Sequence, residues 1–342
     1  MPDKKFTIYK PVKLWGGITI IAAILVLIIY SIILNWKIHC PNPDLLISIS
    51  KGASAGSVAY SLKESDCLEN ESIFKLALTL TMKNRKIIPG RYNFKGITTI
   101  WQVVKMITTP SNERVKVTLV EGWNLDRYTA ELQDKLKIDS YEFKRLCRDY
   151  NFIHALGIDA PSLEGFLFPD TYILTRTYTE EEIVKILVNQ FKHNWELVQK
   201  HSSIRMNIRE MTTLASIIQG EAVYPDEMPI ISSVYHNRLN KNMLLQADPT
   251  IQYILPGKPR RLYNKHLKID NPYNTYKYRG LPPGPINNPG LAAMMAAANP
   301  KETEYLYFVA DGEGRHIFTR TNAEHNEAKI ELKRKRRQKR KL

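Results

Sequence analysis

The sequence predicts an α+β protein with a single N-terminal transmembrane helix, a small β-α-α-β module and a larger α+β domain. Two observations support this fold class. An uncharged stretch of 23 residues runs from Leu14 to Trp36, and after it short strand and helix patterns alternate without an internal repeat. The length of 342 residues corresponds to about two domains at roughly 150 residues each. Hydrophobic residues make up 44% of the chain, which is enough for a sizeable core and argues against wholesale disorder.

The uncharged stretch at residues 14–36 is long enough to cross a bilayer. A helix of this length spans roughly 34 Å at about 1.5 Å per residue, against about 30 Å for the hydrocarbon core. Trp15 and Trp36 lie at its ends, where indole rings favour the membrane interface. The alternative is a cleaved signal peptide, but no small-residue cleavage pattern follows the stretch. Lysines precede it, so we expect residues 1–13 in the cytoplasm and everything after residue 37 outside it.

The net charge of +15 lies mainly at the two ends of the chain. Residues 1–37 carry +4, and eight of the nine residues from Lys333 to Lys341 are basic, which leaves +3 for the body. Nucleic-acid-binding domains carry their positive charge on the folded body, so this distribution argues against nucleic acid as a partner. The basic tail, residues 333–342, either meets anionic lipid head groups or acidic peptides, or is simply solvated.

The three cysteines give no sign of a cross-linked framework. Cys40, Cys67 and Cys147 are an odd number at wide spacing, which matches neither a metal-ligand pattern nor a set of disulfides. Cys67 and Cys147 fall within helical patterns, which predicts that they are small core residues.

Residues 45–110 are predicted to form the small module. Its predicted elements are a strand at Leu45–Ser50, two short amphipathic helices within residues 58–80, a strand near Ile88–Phe94 and a further helix around Trp101–Ile107. The β-α-α-β order resembles a LysM-like module, a fold that often holds N-acetylhexosamine glycans. A small α+β spacer without a ligand is the alternative.

Residues 115–332 are predicted to form the larger domain. Its predicted elements are a strand at Val115–Val120, helices within residues 125–157 and from Glu181 to about Lys200, and a β-hairpin of Tyr305–Ala310 and His316–Thr319 that turns at Asp311–Gly312.

The strongest candidate for chemistry is a glutamate on the helix predicted at residues 208–222. Leu214, Ile217, Ile218 and Glu221 share one face of that helix. An isolated buried charge is costly, so burial there would raise the pKa of Glu221 and keep it protonated near neutral pH, as a general acid requires. The alternative is a glutamate at a helix end that reaches solvent or a partner arginine.

Proline-rich and polar loops follow this helix at residues 245–253, 272–276 and 280–286. Prolines fix φ, and Gly284 permits backbone conformations that other residues avoid. Rigid loops with many amide and hydroxyl groups suit a sugar chain. Solvated structural loops are the alternative.

These motifs, in this order, resemble one protein family. The segments are LASIIQGEA at residues 214–222, VYHNRLNKNMLLQADPTIQY at 234–253, PYNTYKYRGLPPGPINNPG at 272–290, YLYFVADGEGRHIFTRTNAEHN at 305–326 and EGFLFPDTY at 164–172. They look like the motifs of the endolytic murein transglycosylase (MltG, YceG-like) family, over roughly residues 45–330. In that family the catalytic acid is the second glutamate of a Glu-x-Glu pair, which is Glu221 here. The first glutamate is replaced by Gln219, which could alter substrate positioning or the pKa of the acid.

The resemblance implies cleavage of the β-1,4 bond after N-acetylmuramic acid in peptidoglycan, without water, to leave a 1,6-anhydromuramyl end. Glu221 would act first as acid and then as base, so the carboxylate pair of ordinary glycosidases is not required. The expected glycan contacts or cleft walls are Gln246, Asp248, Asn274, Tyr276 and Tyr307. Asp248 is also the main candidate for a second carboxylate, which would make the chain a hydrolytic muramidase. Otherwise Asp248 is an Asx-type cap beside Pro249.

The family implies no metal and no cofactor, and His316 and His325 are expected to be structural or cleft-lining residues. The implied partners are peptidoglycan glycan strands, the membrane and the peptidoglycan synthases. The implied location is the bacterial plasma (inner) membrane, crossed once. A catalytically silent glycan-binding scaffold of the cell-wall synthesis machinery is the alternative, in which Gln219 would mark the loss of activity.

Overall fold

The computed structural model describes residues 12–41, 46–50, 52–84, 86–94, 96–109, 114–257 and 260–339. Side chains are described from Ile20 in the first helix to Arg334 in the last, except Leu46. Residues 1–11 of the predicted cytoplasmic segment and residues 340–342 of the basic tail lie outside the described part. The chain is mixed α and β and divides into two compact units. One unit runs up to Arg114 and includes Thr175–Thr179, and the other comprises Val115–Leu174 and Glu180 onward.

Short elements make up the first unit. In chain order they are α1 (Val12–Leu34), β1 (Leu46–Ile49), α2 (Ala55–Glu64), α3 (Glu71–Leu80), β2 (Gly90–Asn93) and α4 (Ile100–Thr108). The predicted β-α-α-β order is present, and β1 pairs with β2 in antiparallel register from Leu46–Asn93 to Ile49–Gly90. Polar caps begin the helices: the Ser54 side chain accepts from the backbone of α2 and Thr99 forms a capping box with Gln102 on α4.

The first helix occupies the predicted uncharged stretch. Its last turns contribute to the core of the first unit, where Leu34 is buried and Tyr30 and Ile33 pack against the cluster. No helix in the described part of the chain is long and apolar enough to cross a membrane. The membrane span at residues 14–36 therefore stays a prediction.

A disulfide joins Cys40 to Cys67 in the first unit. The prediction of no disulfide was wrong, whereas the prediction that Cys67 is a core residue is confirmed, because Cys67 is buried in the core of the first unit. The spacing could not reveal the pair, because the two cysteines meet only when the end of α2 folds back towards the segment after α1. Cys147 is buried and free, as predicted.

The second unit is built around helices with small antiparallel strand pairs at its surface. Its elements are β3 (Val115–Thr118), α5 (Leu125–Leu136), α6 (Ser140–Leu146), α7 (Tyr150–Ala155), β4 (Thr171–Leu174), α8 (Glu180–Lys200), α9 (Ile208–Glu221), α10 (Met228–Asn240), α11 (Asp248–Ile254), α12 (Leu291–Ala298), β5 (Tyr307–Ala310), β6 (His316–Thr319) and α13 (Asn322–Lys339). Strand β3 pairs with β4 and β5 with β6, so the predicted hairpin is confirmed.

One segment differs from its prediction. The expected loop at residues 245–253 contains α11, because Pro249 at the first turn starts a helix without needing a backbone donor there. Helix α13 extends into the basic tail as far as Lys339, since Lys and Arg are good helix formers.

The central helix α9 packs against α10, α11 and α12. The polar loop before α12 runs along α9, where the Ser216 hydroxyl accepts from the Ile286 backbone and the Ser216 carbonyl accepts from the Asn287 side chain. Next to it Asn288 accepts from the backbones of Gly165 and Leu167 at 2.9 and 3.2 Å. Buried polar bonds therefore fix this loop, and the EGFLFPDTY segment, to one end of α9.

A buried carboxyl group belongs to the same region. Glu164 is 5% exposed and accepts from the Leu125 backbone at 3.0 Å, and Asn288 donates to it at 3.4 Å. Burial raises the pKa of Glu164 to about 8, while the Leu125 bond opposes this shift.

Removing the disulfide should destabilise the first unit. Cys40 and Cys67 are 27 residues apart, and closing a loop of that length is worth about 3 kcal/mol of unfolding free energy. We expect Cys40→Ser with Cys67→Ser to unfold at lower denaturant concentration, and reductant to destabilise the wild type but not the variant. Equal stability of the wild type with and without reductant would contradict this.

Candidate active site

The candidate acid Glu221 is the last residue of α9. The helix begins with a capping box between Asn207 and Glu210, and every residue from Met211 to Ile218 is buried. Ala222 is already extended, with φ −82° and ψ 131°. The predicted apolar face is therefore confirmed, and Glu221 lies where the chain leaves the core.

The carboxyl group of Glu221 is held by one hydrogen bond. The Tyr235 hydroxyl donates to Glu221 Oε1 at 2.9 Å, and Tyr235 itself is fully buried on α10. Glu221 as a residue is partly exposed, whereas its carboxyl is surrounded by protein atoms. Burial raises the pKa of Glu221 to about 7, the Tyr235 bond opposes the shift, and the negative charge of Asp248 adds to it. A carboxyl with this pKa is substantially protonated near neutral pH.

Arg238 places a positive charge in the same cluster, three residues after Tyr235. Its guanidinium donates to the carbonyls of Leu306 and Leu245, at 2.7 Å each, and lies 5.3 Å from the ring centroid of Tyr307. The Arg238 charge lowers the pKa of Glu221 and so favours its ionised form. The site therefore stabilises both protonation states of Glu221, as a group that gives and then takes a proton requires.

Asp248 lies at the first turn of α11 and is exposed. Its Oδ1 accepts from the Tyr276 hydroxyl at 2.5 Å, and no side-chain cap bond is made to the backbone of α11. The Asx-type cap beside Pro249 was therefore wrong. Asp248 is itself the first residue of α11, and its carboxylate accepts from the Tyr276 hydroxyl instead.

The other expected glycan contacts are in different environments. Gln246 is exposed, with φ +49°, and its backbone donates to Thr275. Asn274 is fully buried and its amide donates to two backbone carbonyls while its carbonyl accepts from the Tyr276 backbone. Asn274 thus holds the loop together, and this geometry does not favour a direct sugar contact. Tyr307 is partly exposed and stacks on His325 at 5.3 Å between centroids.

Sequence reasoning missed Tyr235 and Arg238 as site residues. The only available signal was their spacing of three residues on α10, which places them on one helix face. Nothing in the sequence says that this face meets Glu221. His316 and His325 are packed in the hairpin region, and the described residues contain no group of three potential metal ligands.

Gln219 faces a different part of the molecule from Glu221, because two residues on a helix are separated by about 200°. Its Oε1 accepts from the Gly290 backbone at 3.0 Å, at the start of α12. A glutamate could accept the same bond. The departure from the family pair therefore lies at the contact between α9 and the start of α12, and it does not remove a group beside the Glu221 carboxyl.

The glycine between them is closely packed. A Cβ on Gly220 would lie 2.7 Å from Cβ of Pro249, the residue after Asp248. Replacing a glycine inside a helix by alanine usually raises the free energy of unfolding by about 0.5–1 kcal/mol. Here the new methyl group would be overpacked against the rigid Pro249 ring, and overpacking lowers the free energy of unfolding by about 1–3 kcal/mol. We expect Gly220→Ala to lower the free energy of unfolding.

The control is Gly56→Ala in α2, where the nearest atom to the new Cβ would be at an ordinary 3.5 Å. That variant should be neutral or slightly stabilising in the same denaturant titration. A Gly220→Ala protein as stable as the wild type would show that Pro249 moves without cost.

Comparison with known proteins agrees with the motifs. The model of the YceG-like family matches residues 47–331. An endolytic murein transglycosylase of Bacillus subtilis is 33% identical over 300 residues, which is 83% of each chain. One from Streptococcus pneumoniae is 26% identical over 82% of this chain, which spans 57% of that protein. The crystal structure of a yceG-like protein from Listeria monocytogenes, 30% identical, superposes with a TM-score of 0.55 over 83% of this chain and 98% of its own. The chain therefore belongs to the YceG-like family.

Proposed function

We propose that this chain is a membrane-anchored endolytic lytic transglycosylase of peptidoglycan. It cleaves the β-1,4 bond between N-acetylmuramic acid and N-acetylglucosamine in nascent glycan strands and so ends their elongation. The observation that carries the proposal is the Glu221 carboxyl, which burial keeps protonated near neutral pH beside Tyr235 and Arg238. The named activity of the relatives from Bacillus subtilis and Streptococcus pneumoniae supports the same reaction.

The reaction needs Glu221 to give one proton to the substrate and then to take one proton back from it. Glu221 donates its proton to the glycosidic oxygen as the bond from that oxygen to C1 of the muramyl sugar breaks. Positive charge develops at C1, and the C6 hydroxyl of the same sugar attacks it. The Glu221 carboxylate then takes the C6 hydroxyl proton, which restores the acid and leaves a 1,6-anhydro ring. No water is consumed.

Tyr235 and Arg238 act on the ionised intermediate state of Glu221. The Tyr235 hydroxyl donates to the carboxylate and the Arg238 charge attracts it, so the ionised form is not left unpaired inside the protein. The Asp248 charge acts in the opposite direction and favours the protonated form at the start of the cycle. These opposing influences keep the pKa close to the working pH, where a group serves best as acid and base.

A hydrolytic muramidase that uses Glu221 and Asp248 is the second candidate. It is favoured by the electrostatic interaction between the two carboxyls. The Tyr276 hydroxyl, however, already binds Asp248 Oδ1, and the proposed reaction needs no second carboxylate.

We further propose that residues 14–36 anchor the chain in the bacterial plasma membrane, with residues 1–13 in the cytoplasm and everything after residue 37 outside it. The Cys40–Cys67 disulfide supports export, because such bonds persist mainly outside the reducing cytoplasm. The β-α-α-β part of the first unit is proposed to be LysM-like, either binding glycan or acting as a spacer without a ligand. Peptidoglycan synthases, which supply nascent strands, are the proposed neighbours.

Glu221→Gln should abolish release of 1,6-anhydro products from purified glycan strands, because the amide has no acidic proton to donate. Glu196→Gln is the control, since Glu196 is an exposed residue on α8. Mass spectrometry of the products distinguishes the alternatives, because an anhydro end is one water lighter than a hydrolysed end. Hydrolysed ends would indicate a muramidase, and no products from the wild type would indicate a scaffold.

Activity should fall as the pH rises through about 7, since the active form of Glu221 is protonated and burial raises its pKa to about 7. A rate that still rises between pH 7 and 9 would contradict the assignment of Glu221 as the acid.

The raised pKa of Glu221 also makes the stability of the protein depend on pH. Its contribution to the free energy of unfolding is complete below the ordinary value of 4.5 and is lost as pH rises through about 7. We therefore expect Glu221→Gln to be more stable than the wild type at pH 8 but not at pH 4.

A further inference from the structure

The hairpin of β5 and β6 contacts one end of the connection between α9 and α10. Glu221 lies before that connection, and Glu227 lies after it, at the start of α10. Glu227 is 6% exposed and is bound by the hairpin: the His316 backbone donates to one carboxylate oxygen at 3.0 Å, and the His316 ring nitrogen Nδ1 lies 3.0 Å from the other. A carboxylate buried to this degree is strongly destabilising unless it has hydrogen-bonding partners such as these. The Glu227 pair therefore fixes the start of β6 against α10.

From His316 a chain of ring contacts leads to the candidate acid. The His316 ring meets the Phe308 ring edge-on, with centroids 5.2 Å apart. Phe308 in turn meets the Tyr235 ring edge-on at 5.9 Å, with an interplanar angle of 89°. The Tyr235 hydroxyl then donates to Glu221 at 2.9 Å. Each step is a direct contact, and edge-on aromatic pairs have a defined geometry.

A second set of contacts joins the same strand to α10. Arg238 donates to the carbonyl of Leu306, just before β5, and its guanidinium lies over the Tyr307 ring. Three consecutive residues, Leu306 to Phe308, therefore contact the two α10 side chains that influence Glu221. The hairpin is thus packed against Tyr235 and Arg238, the residues that influence the acid.

We propose that the β5–β6 hairpin is the positioning element of the active site, and that Phe308, held by the Glu227–His316 pair, keeps the Tyr235 hydroxyl directed at Glu221. The proposal rests on the proposed function of Glu221, and it assigns no direct contact with substrate to Glu227, His316 or Phe308. Replacing these residues should misplace the Tyr235 hydroxyl while leaving the glycan-binding surface intact. The expected effect is a loss in kcat with little change in KM, because small misplacements beside the reacting atoms are costly to the rate.

A double-mutant cycle tests the proposal. Phe308→Leu should lower kcat about tenfold and change KM less than twofold, but should change kcat less than twofold when Tyr235→Phe is already present, since contacting residues that act through one group are not additive. Ile317→Ala is the matched control on the hairpin, because Ile317 is 38% exposed. Equal losses in both backgrounds would show that Phe308 does not act through Tyr235 and would overturn the proposal.

The role of the Glu227–His316 pair in fixing the hairpin can be tested separately. Glu227→Ala should give the same kcat loss as Phe308→Leu, and Glu227→Gln should restore most of the activity, because the amide oxygen still accepts from the His316 backbone. If Glu227→Gln is as impaired as Glu227→Ala while both remain folded by circular dichroism, the hydrogen-bonded pair is not what fixes the hairpin.

A readout independent of turnover separates failure of this proposal from failure of the proposed function. In protein labelled with ¹³C at the tyrosine ring, the Tyr235 signal is assigned by its loss in Tyr235→Phe. It should follow the ionisation of Glu221 in the wild type and stop doing so in Phe308→Leu. Retention of that response in Phe308→Leu would overturn the positioning role, even if Glu221 proved not to be the acid. Activity retained by Glu221→Gln would instead contradict the proposed function alone.

Discussion

The hydrogen bond from Tyr235 to the carboxyl group of Glu221 is the interaction on which the arrangement of the site depends. A carboxyl group at the end of a buried helix is costly to ionise, and without a donor its pKa would be higher still. The Tyr235 bond and the Arg238 charge limit that effect, so the pKa of Glu221 is raised only to about 7. The site can therefore release and regain a proton with little change in free energy.

The surrounding structure keeps these groups in place. The C-terminal half of α9 is bound to the loop before α12, through Ser216 and through Gln219. Asn288 connects that loop to the segment that begins at Gly165. At Gly165 the backbone has φ +88°, and a Cβ would lie 2.4 Å from Pro285, so only glycine fits. Two sequence motifs more than one hundred residues apart are thus joined at the helix that ends in Glu221.

Much of the fold follows from local patterns. The apolar stripe of α9 with Glu221 at its end, the β-α-α-β order of the first unit and the β5–β6 hairpin were predicted, because helix and strand periodicity and an Asp-Gly turn are local signals. The Cys40–Cys67 disulfide, the direction of the Asp248 side chain and the helix α11 were not. The disulfide and the direction of the Asp248 side chain depend on where distant segments meet. Helix α11 depends on Pro249, which starts a helix in a segment that otherwise looks like a loop.

The candidate site was predictable in part for the same reason. Glu221 stands out in the sequence because it is a charged residue on an apolar helix face. Tyr235 and Arg238 look like ordinary members of an amphipathic helix, and only the packing of α10 against α9 shows that they belong to the site. Asn274 shows the converse, because a polar residue in a proline-rich loop looks available for a ligand although the loop itself uses all of its donors.

The central claim is that the protein environment holds the Glu221 carboxyl at a pKa near neutrality. The most direct measurement is the ¹³C NMR titration of the glutamate side-chain carboxyls in the full-length chain, with the Glu221 signal assigned by its absence in Glu221→Gln. A midpoint near 7 is the result expected from the burial and contacts of this group. A midpoint near the ordinary value of 4.5 would show that Glu221 is ionised at neutral pH and would contradict its assignment as the proton donor.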